Sequence, residues 1–207
     1  MKFVLFVEGA TEHKALAGFL KKWLDSRLKQ PVGIRLVDLA GWSKFRTRIQ
    51  RKIVAELEVA GREDVIAAIG LLDLYGPNFY PDHTHSPKER CEWAVNQIER
   101  EVGNKRFKMF FAVHETEAWL LSQPEIFPSG VRDQIEKHKA KPEAVNFNKP
   151  PATHIKEAYH AINRTYKKTI DGYELFSRAD PEFAYESCPY LKRMLDTMLD
   201  LAKNAEP

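Results

Sequence analysis

Cysteine is scarce in this chain: only Cys91 and Cys188 occur, far apart and outside any Cys-x-x-Cys spacing. That excludes a disulfide framework and a cysteine-based zinc cluster, and it fits a reducing compartment. Long apolar runs are missing as well. No window approaches the ~20 apolar residues of a membrane-spanning helix. The apolar start, Phe3 to Val7, is cut short by Glu8 and Gly9, so it lacks the length and the cleavage site of a secretory leader. The expected location is the cytoplasm, with no membrane partner. Charge of one sign is not in excess either: 32 Lys and Arg stand against 29 Asp and Glu, a net charge of +3. Nucleic acid, if bound, has to be met by a local basic face and not by the surface as a whole. Internal repeats and low-complexity tracts are absent.

What is present suffices for one substantial core. The 207 residues are 43% hydrophobic, and the 11% aromatic share argues against disorder. Phe3 to Val7, Val32 to Leu39, Asp64 to Asp73 and Phe107 to Val113 read as four strands, mostly as solid apolar runs of the kind buried on both faces. Helical spacing falls between them. Leu16, Phe19, Leu20, Trp23 and Leu24 form one stripe, with Thr11 as its cap. Phe45, Ile49, Ile53 and Leu57 form a second, with Ser43 as a cap, and Cys91, Val95, Ile98 and Val102 a third, opened by Pro87. A short helix follows at Thr116 to Leu121. Strand-helix repetition of this kind predicts an α/β fold with a mainly parallel sheet flanked by helices. Residues 1–122 are the expected core. Residues 123–207 are expected to pack on it as part of a single domain: a Pro-rich excursion over 123–152, then helices near Thr153 to Lys168 and Tyr190 to Lys203.

Three of the strands end in acids: Glu8, Asp73 and Glu115. Open α/β sheets bind ligands at the carboxyl ends of their strands. Carboxylates gathered there repel one another unless a cation joins them, and oxygen-only donors suit a hard ion such as Mg²⁺ or Mn²⁺. Such an ion serves phosphoryl chemistry. Singly, each acid reads better as a plain strand end at the surface; three at equivalent strand ends favour a functional site. His114 is a candidate general base or a partner that orients Glu8 or Asp73. Lys44, Arg48, Arg51 and Lys52 fall on one side of the second helix, a stripe suited to phosphates or simply a solvated face. Lys149, Lys156, Lys167 and Lys168 form a further set from which a lysine near the site could steady a pentavalent transition state. Asp82-His83-Thr84-His85, joined by His114, is a weak zinc alternative. Tyr75 and Trp119 could stack on bases, although Trp119 in Glu-Ala-Trp-Leu-Leu also reads as core.

Val7-Glu8-Gly9-Ala10-Thr11-Glu12 resembles the first-strand motif of Toprim domains, which occur in topoisomerases, primases, recombination proteins and OLD-family nucleases. Asp73-Leu74-Tyr75-Gly76, His114-Glu115-Thr116-Glu117-Ala118, Asn148 to Ile155 and Cys188-Pro189 together resemble a bacterial family of Toprim-like, OLD-related proteins, over nearly the whole chain. The resemblance implies a Toprim-like fold in which Glu8, Asp73 and Glu115 bind Mg²⁺ or Mn²⁺, with Glu12 and Glu117 as further metal ligands. It favours Lys149 and Lys167 among the lysines. It implies a nuclease on DNA or RNA in phage defence or DNA maintenance. Tyr75 departs from the Toprim pattern, which has a second aspartate there; Glu115 or Glu117 would replace that ligand, Glu115 being the nearer to the strand ends. OLD-like Toprim domains are often coupled to an ATPase. No Gly-x-x-x-x-Gly-Lys-Ser/Thr loop occurs here, so an ATPase would be a separate partner protein, and a regulatory subunit without catalysis is the alternative reading.

Overall fold

A computed structural model describes residues 1–9, 13–58, 64–144 and 148–206. Four strands form one sheet: β1 (Lys2–Val7), β2 (Gly33–Asp38), β3 (Val65–Asp73) and β4 (Phe107–Ala112), in the order β2-β1-β3-β4. Every neighbouring pair is parallel, with Val7 beside Asp38 and Leu71, and Asp73 beside Ala112. All carboxyl ends therefore lie on one edge, as the apolar runs predict. Alternate residues of β1 enter two different cores. Phe3, Leu5 and Val7 face α1 (His13–Asp25), while Val4 and Phe6 face α2 (Trp42–Leu57) and α3 (Pro87–Val102). Both faces are apolar because both are covered, which is why the strand reads as a solid run.

Gly70 lets α2 and β4 press close on β3. A Cβ there would stand 2.6 Å from Met109 Sδ and 3.0 Å from Phe45 Cζ. The start of α3 follows its sequence signal: Ser86 caps it, accepting from Glu89 N at 3.2 Å, and the Glu89 carboxylate accepts Ser86 N at 2.9 Å. Ser43 does not cap α2. That helix begins at Trp42, so Ser43 lies inside its first turn. The cap expected at Thr11 lies outside the described residues.

The second half of the chain is more helical than its prolines suggest. After α4 (Glu117–Leu121), the expected excursion holds α5 (Ser129–Ile135) and several single 3₁₀ turns. The helix expected to reach Lys168 is α6 (Pro151–Ala161), which stops seven residues short of it. A π-helical turn then spans Lys168–Gly172, followed by α7 (Tyr173–Arg178), α8 (Pro181–Ser187) and α9 (Pro189–Ala205). Leu191, Met194, Leu195 and Met198 are buried in α9, as their spacing predicts. Phe176, Leu195 and Met198 share one core with Leu5 and Trp119, so the C-terminal helices close over the face of the sheet that α1 covers. Among the described residues no helix is long and apolar enough to cross a membrane.

Candidate functional site

The carboxyl edge of the sheet opens into a cavity of about 320 Å³ walled by Glu8, Gly41, Asp73, Thr116 and Lys168, among others. The walls form because each strand runs directly into a turn whose backbone the neighbouring acid holds. Glu8 follows β1, and its carboxylate accepts the N–H of Trp42, the first residue of α2. Its carbonyl accepts Gly41 N at 2.6 Å. Asp73 closes β3, and its Oδ1 accepts Thr116 N at 3.1 Å, just ahead of α4. Glu115 Oε2 accepts Ala152 N at 2.9 Å. Pro150 and Pro151 have no N–H, so this is the first free donor of α6. The three acids thus fasten onto donors at or beside the starts of three helices, where negative charge is favoured.

Glu117 is the fourth acid and the most buried, at 1% exposure. Its Oε1 lies 3.0 Å from Lys168 Nζ, and its Oε2 accepts the Thr116 hydroxyl at 3.4 Å. Lys168 Nζ is also 4.0 Å from Asp73 Oδ2. Burial holds the Asp73 carboxyl well above the usual carboxylate range; Lys168 opposes this, and the charges of Glu117, Glu115 and Glu8 add to it. Burial also raises Glu8, against the pull of the Trp42 N–H and Lys168. It raises Glu115 in the same way, with the charge of Glu117 adding to it and the Ala152 N–H, Lys168 and Lys156 opposing. Asp73 therefore feels the charges of three other carboxylates, and Lys168 lines the same cavity as Glu8 and Asp73.

Glu8, Asp73, Glu115 and Glu117 are thus brought together. Glu12 lies outside the described residues. His114 is buried beside them at 2% exposure, and its carbonyl accepts Tyr75 N at 2.9 Å. The Tyr75 side chain is 45% exposed. Trp119 is core: it stacks on Phe19 and meets Phe176 edge-on. Lys44, Arg48, Arg51 and Lys52 are all exposed on α2, away from its buried Phe45, Ile49 and Ile53. The lysine that reaches the acids is Lys168. Lys149 instead pairs with Glu157, and Lys167 is exposed with its backbone N–H on Asp171. Sequence spacing carried no signal for this, because Lys168 lies about fifty residues beyond Glu117. His83 and His85 are exposed in their loop.

By type, the donors fit a hard divalent cation: they are all carboxylate oxygens, and Glu8 Oε2 is buried with no hydrogen-bond partner among the described residues. By position they are not gathered around one point. Among the described residues no three His, Cys, Asp or Glu side chains stand close enough to hold a metal ion. The ammonium of Lys168 stands between Asp73 and Glu117 instead.

Glu143, which the sequence did not single out, is a further buried acid away from this edge. It is 8% exposed and accepts Tyr190 N at 2.9 Å and Leu191 N at 3.4 Å at the start of α9. Burial pushes its carboxyl up from 4.5 to about 7. Between those values the folded chain holds a proton that the unfolded chain has released, so stability falls as pH rises through that window. Glu143→Gln removes this titration. Wild type is expected to lose up to about 3 kcal/mol relative to the variant between pH 4.5 and 7. Urea denaturation at several pH values measures it; parallel curves would refute it.

A family model described as "Domain of unknown function (DUF4276)" matches residues 7–199. No curated protein matches the chain. Among solved structures, the C-terminal region of the Burkholderia pseudomallei OLD protein is similar, at 15% identity and a TM-score of 0.46, covering 96% of this chain and 97% of that one.

Proposed function

The chain belongs to the family described as Domain of unknown function (DUF4276), and we propose that it is a divalent-metal-dependent phosphotransfer enzyme, a nuclease acting on DNA or RNA. The observation that carries this reading is that Glu8 and Asp73 line one cavity with Lys168, while the charges of Glu115 and Glu117 also reach Asp73. Such a density of negative charge is costly to assemble unless a cation is its purpose. Holding Mg²⁺ or Mn²⁺ would require Glu8, Asp73 and Glu115, with Glu12 and Glu117 as further ligands, to turn toward one point. When bound, that ion would neutralise phosphate charge and lower the pKa of a water. Glu115 keeps the start of α6 docked at the site, and Lys168 places positive charge where a phosphoryl group would meet the acids.

The exposed stripe on α2 begins beside Glu8 and offers phosphate contacts to a polynucleotide. Neutralising Lys44, Arg48, Arg51 and Lys52 together is expected to weaken binding at least tenfold. It should also flatten the salt dependence by about 0.7–0.9 in log–log slope for each phosphate that the stripe neutralises in the wild type. Fluorescence anisotropy between about 50 and 200 mM salt measures both, and unchanged binding would return α2 to an ordinary solvated face.

The test of the activity is cleavage of plasmid, single-stranded DNA and RNA with Mg²⁺ or Mn²⁺, comparing wild type with Glu8→Gln and Asp73→Asn. Cleavage at the wild-type rate in both variants defeats the proposal. Tyr75 supports a second reading, a metal-binding subunit without catalysis that serves a separate ATPase. Its side chain is 45% exposed and supplies no carboxylate. Mn²⁺ binding without cleavage of any substrate would favour it.

A further inference from the structure

We propose that His138 and His154, with Lys137 and Lys149, form a phosphate-binding site near the start of α6, and that the site takes up a proton from solvent as it loads. The proposal does not rest on the metal-binding reading above.

His138 ends the 3₁₀ turn Glu136–His138 that follows α5, and His154 lies near the start of α6, which packs on α5. This packing brings the two rings to 4.3 Å between centroids, tilted by 56°. Lys137 and Lys149 press their charge on both rings. One acid reaches the group: Glu157, which pairs with Lys149. Glu125 and Glu136, on the adjoining 3₁₀ turns, are engaged by Lys139. Two lysines and two imidazoles thus stand against one carboxylate. Lys137 is exposed and both rings are half-buried, so the group is open to solvent.

His138 Nε2 is buried and has no hydrogen-bond partner among the described residues. In the protonated ring that nitrogen is a donor, and a buried donor without an acceptor is costly. An oxyanion supplies the acceptor. A phosphate group suits the cluster better than a carboxylate, because its several oxygens point in different directions and can accept from both rings and an ammonium at once. Burial brings the His138 imidazole down from 6.5 to about 4, and the charges of His154, Lys137 and Lys149 push the same way. Burial lowers His154 as well; Lys149 and Lys137 add to this, while Glu157 and the Lys149 carbonyl oppose it. Near neutral pH both rings are therefore uncharged. A bound anion opposes the lysine charges and favours the imidazolium, so each pKa rises and a proton enters with the anion.

The experiment is an NMR titration of the histidine ring signals on the full chain in EDTA. It is run alone, with inorganic phosphate, and with a short oligothymidylate, at constant ionic strength. The His138 midpoint is expected to rise by at least about one pH unit with ligand, and that of His154 in the same direction. A rise with inorganic phosphate assigns the site to free phosphate groups; a rise with the oligonucleotide alone assigns it to a polynucleotide backbone. In parallel, affinity for the effective ligand should increase between about pH 7.5 and 5.5, and by at least about tenfold more in wild type than in the His138→Gln, His154→Gln double variant. A His138 midpoint unchanged by both ligands overturns the proposal, as does an equal pH dependence of binding in the double variant. The NMR arm uses the wild-type chain, so a double variant that fails to fold leaves the proposal falsifiable. EDTA keeps metal out of both arms, so either outcome leaves the nuclease reading to its own test.

Discussion

Asp73→Asn is expected to lower metal-dependent cleavage by at least about 100-fold, the cost of removing one preorganised electrostatic group from a reacting centre. Asparagine keeps the Oδ1 that accepts Thr116 N, so the link between the end of β3 and the start of α4 survives. What disappears is the charge on Oδ2, the oxygen facing Lys168. Because burial and three neighbouring acids disfavour that charge, the fold gives up nothing by losing it. The folded protein binds the Asp73 proton more tightly than the unfolded chain does. Wild type is therefore penalised above the unfolded pKa, and the variant is not. In EDTA at neutral pH the variant should melt at the wild-type temperature or higher. Loss of activity with retained or improved stability marks a residue kept for chemistry. A melting temperature several degrees lower would instead assign Asp73 to holding the fold. Initial rates and thermal melts on the same preparation decide between them.

Trp119→Ala is expected to be the most destabilising single change, at about 3–5 kcal/mol, the usual cost of emptying a buried aromatic site. Trp119 is 1% exposed, stacks 6.2 Å from Phe19 on α1, and meets Phe176 on α7 edge-on at 6.5 Å. It ties the sheet edge to α1 and α7, two of the helices that cover this face. In a chain of this size the loss should lower the melting temperature by roughly 10 °C. The effect reaches the site, because α4 is only five residues long and carries Glu117 two positions before Trp119. A void behind that helix lets Glu117 and the Thr116–Asp73 bond lose alignment. Trp119→Phe keeps much of the packing and should recover most of the stability. Thermal denaturation followed by circular dichroism tests both, and a shift below about 3 °C for Trp119→Ala would contradict the central place given to this side chain.

The four strands and three of the site acids were legible in the sequence because their signals are local. Phe3 to Val7 and Val65 to Leu72 are apolar runs that only a sheet covered on both faces can bury, and Glu8 and Asp73 stand where those runs stop. The covering helices α2, α3 and α9 also announced themselves, since a stripe such as Leu191, Met194, Leu195 and Met198 is a property of one segment. Apart from α6, whose helix was expected near Thr153, the short helices between Pro124 and Ser187 did not. With three to seven residues each, they offer too few turns for periodicity, and tertiary packing stabilises them.

The choice among lysines, and the use of Glu115 and Glu117 together, belonged to the tertiary structure alone. On sequence, a strand ending at His114 with a helix behind it points those two glutamates in different directions. In the fold they do diverge, yet both stay at the site: Glu115 turns to Ala152, 37 positions along the chain, while Glu117 turns to Lys168. Thr116 reaches back 43 positions to Asp73. Pairings over such separations depend on how crossovers and helices stack, which no local pattern encodes. The sequence by itself thus determined a parallel α/β sheet with acids at its carboxyl edge, because burial and strand ends are written residue by residue. Only the folded chain decided which cation stands among those acids, because that depends on where a distant π-helical turn comes to rest.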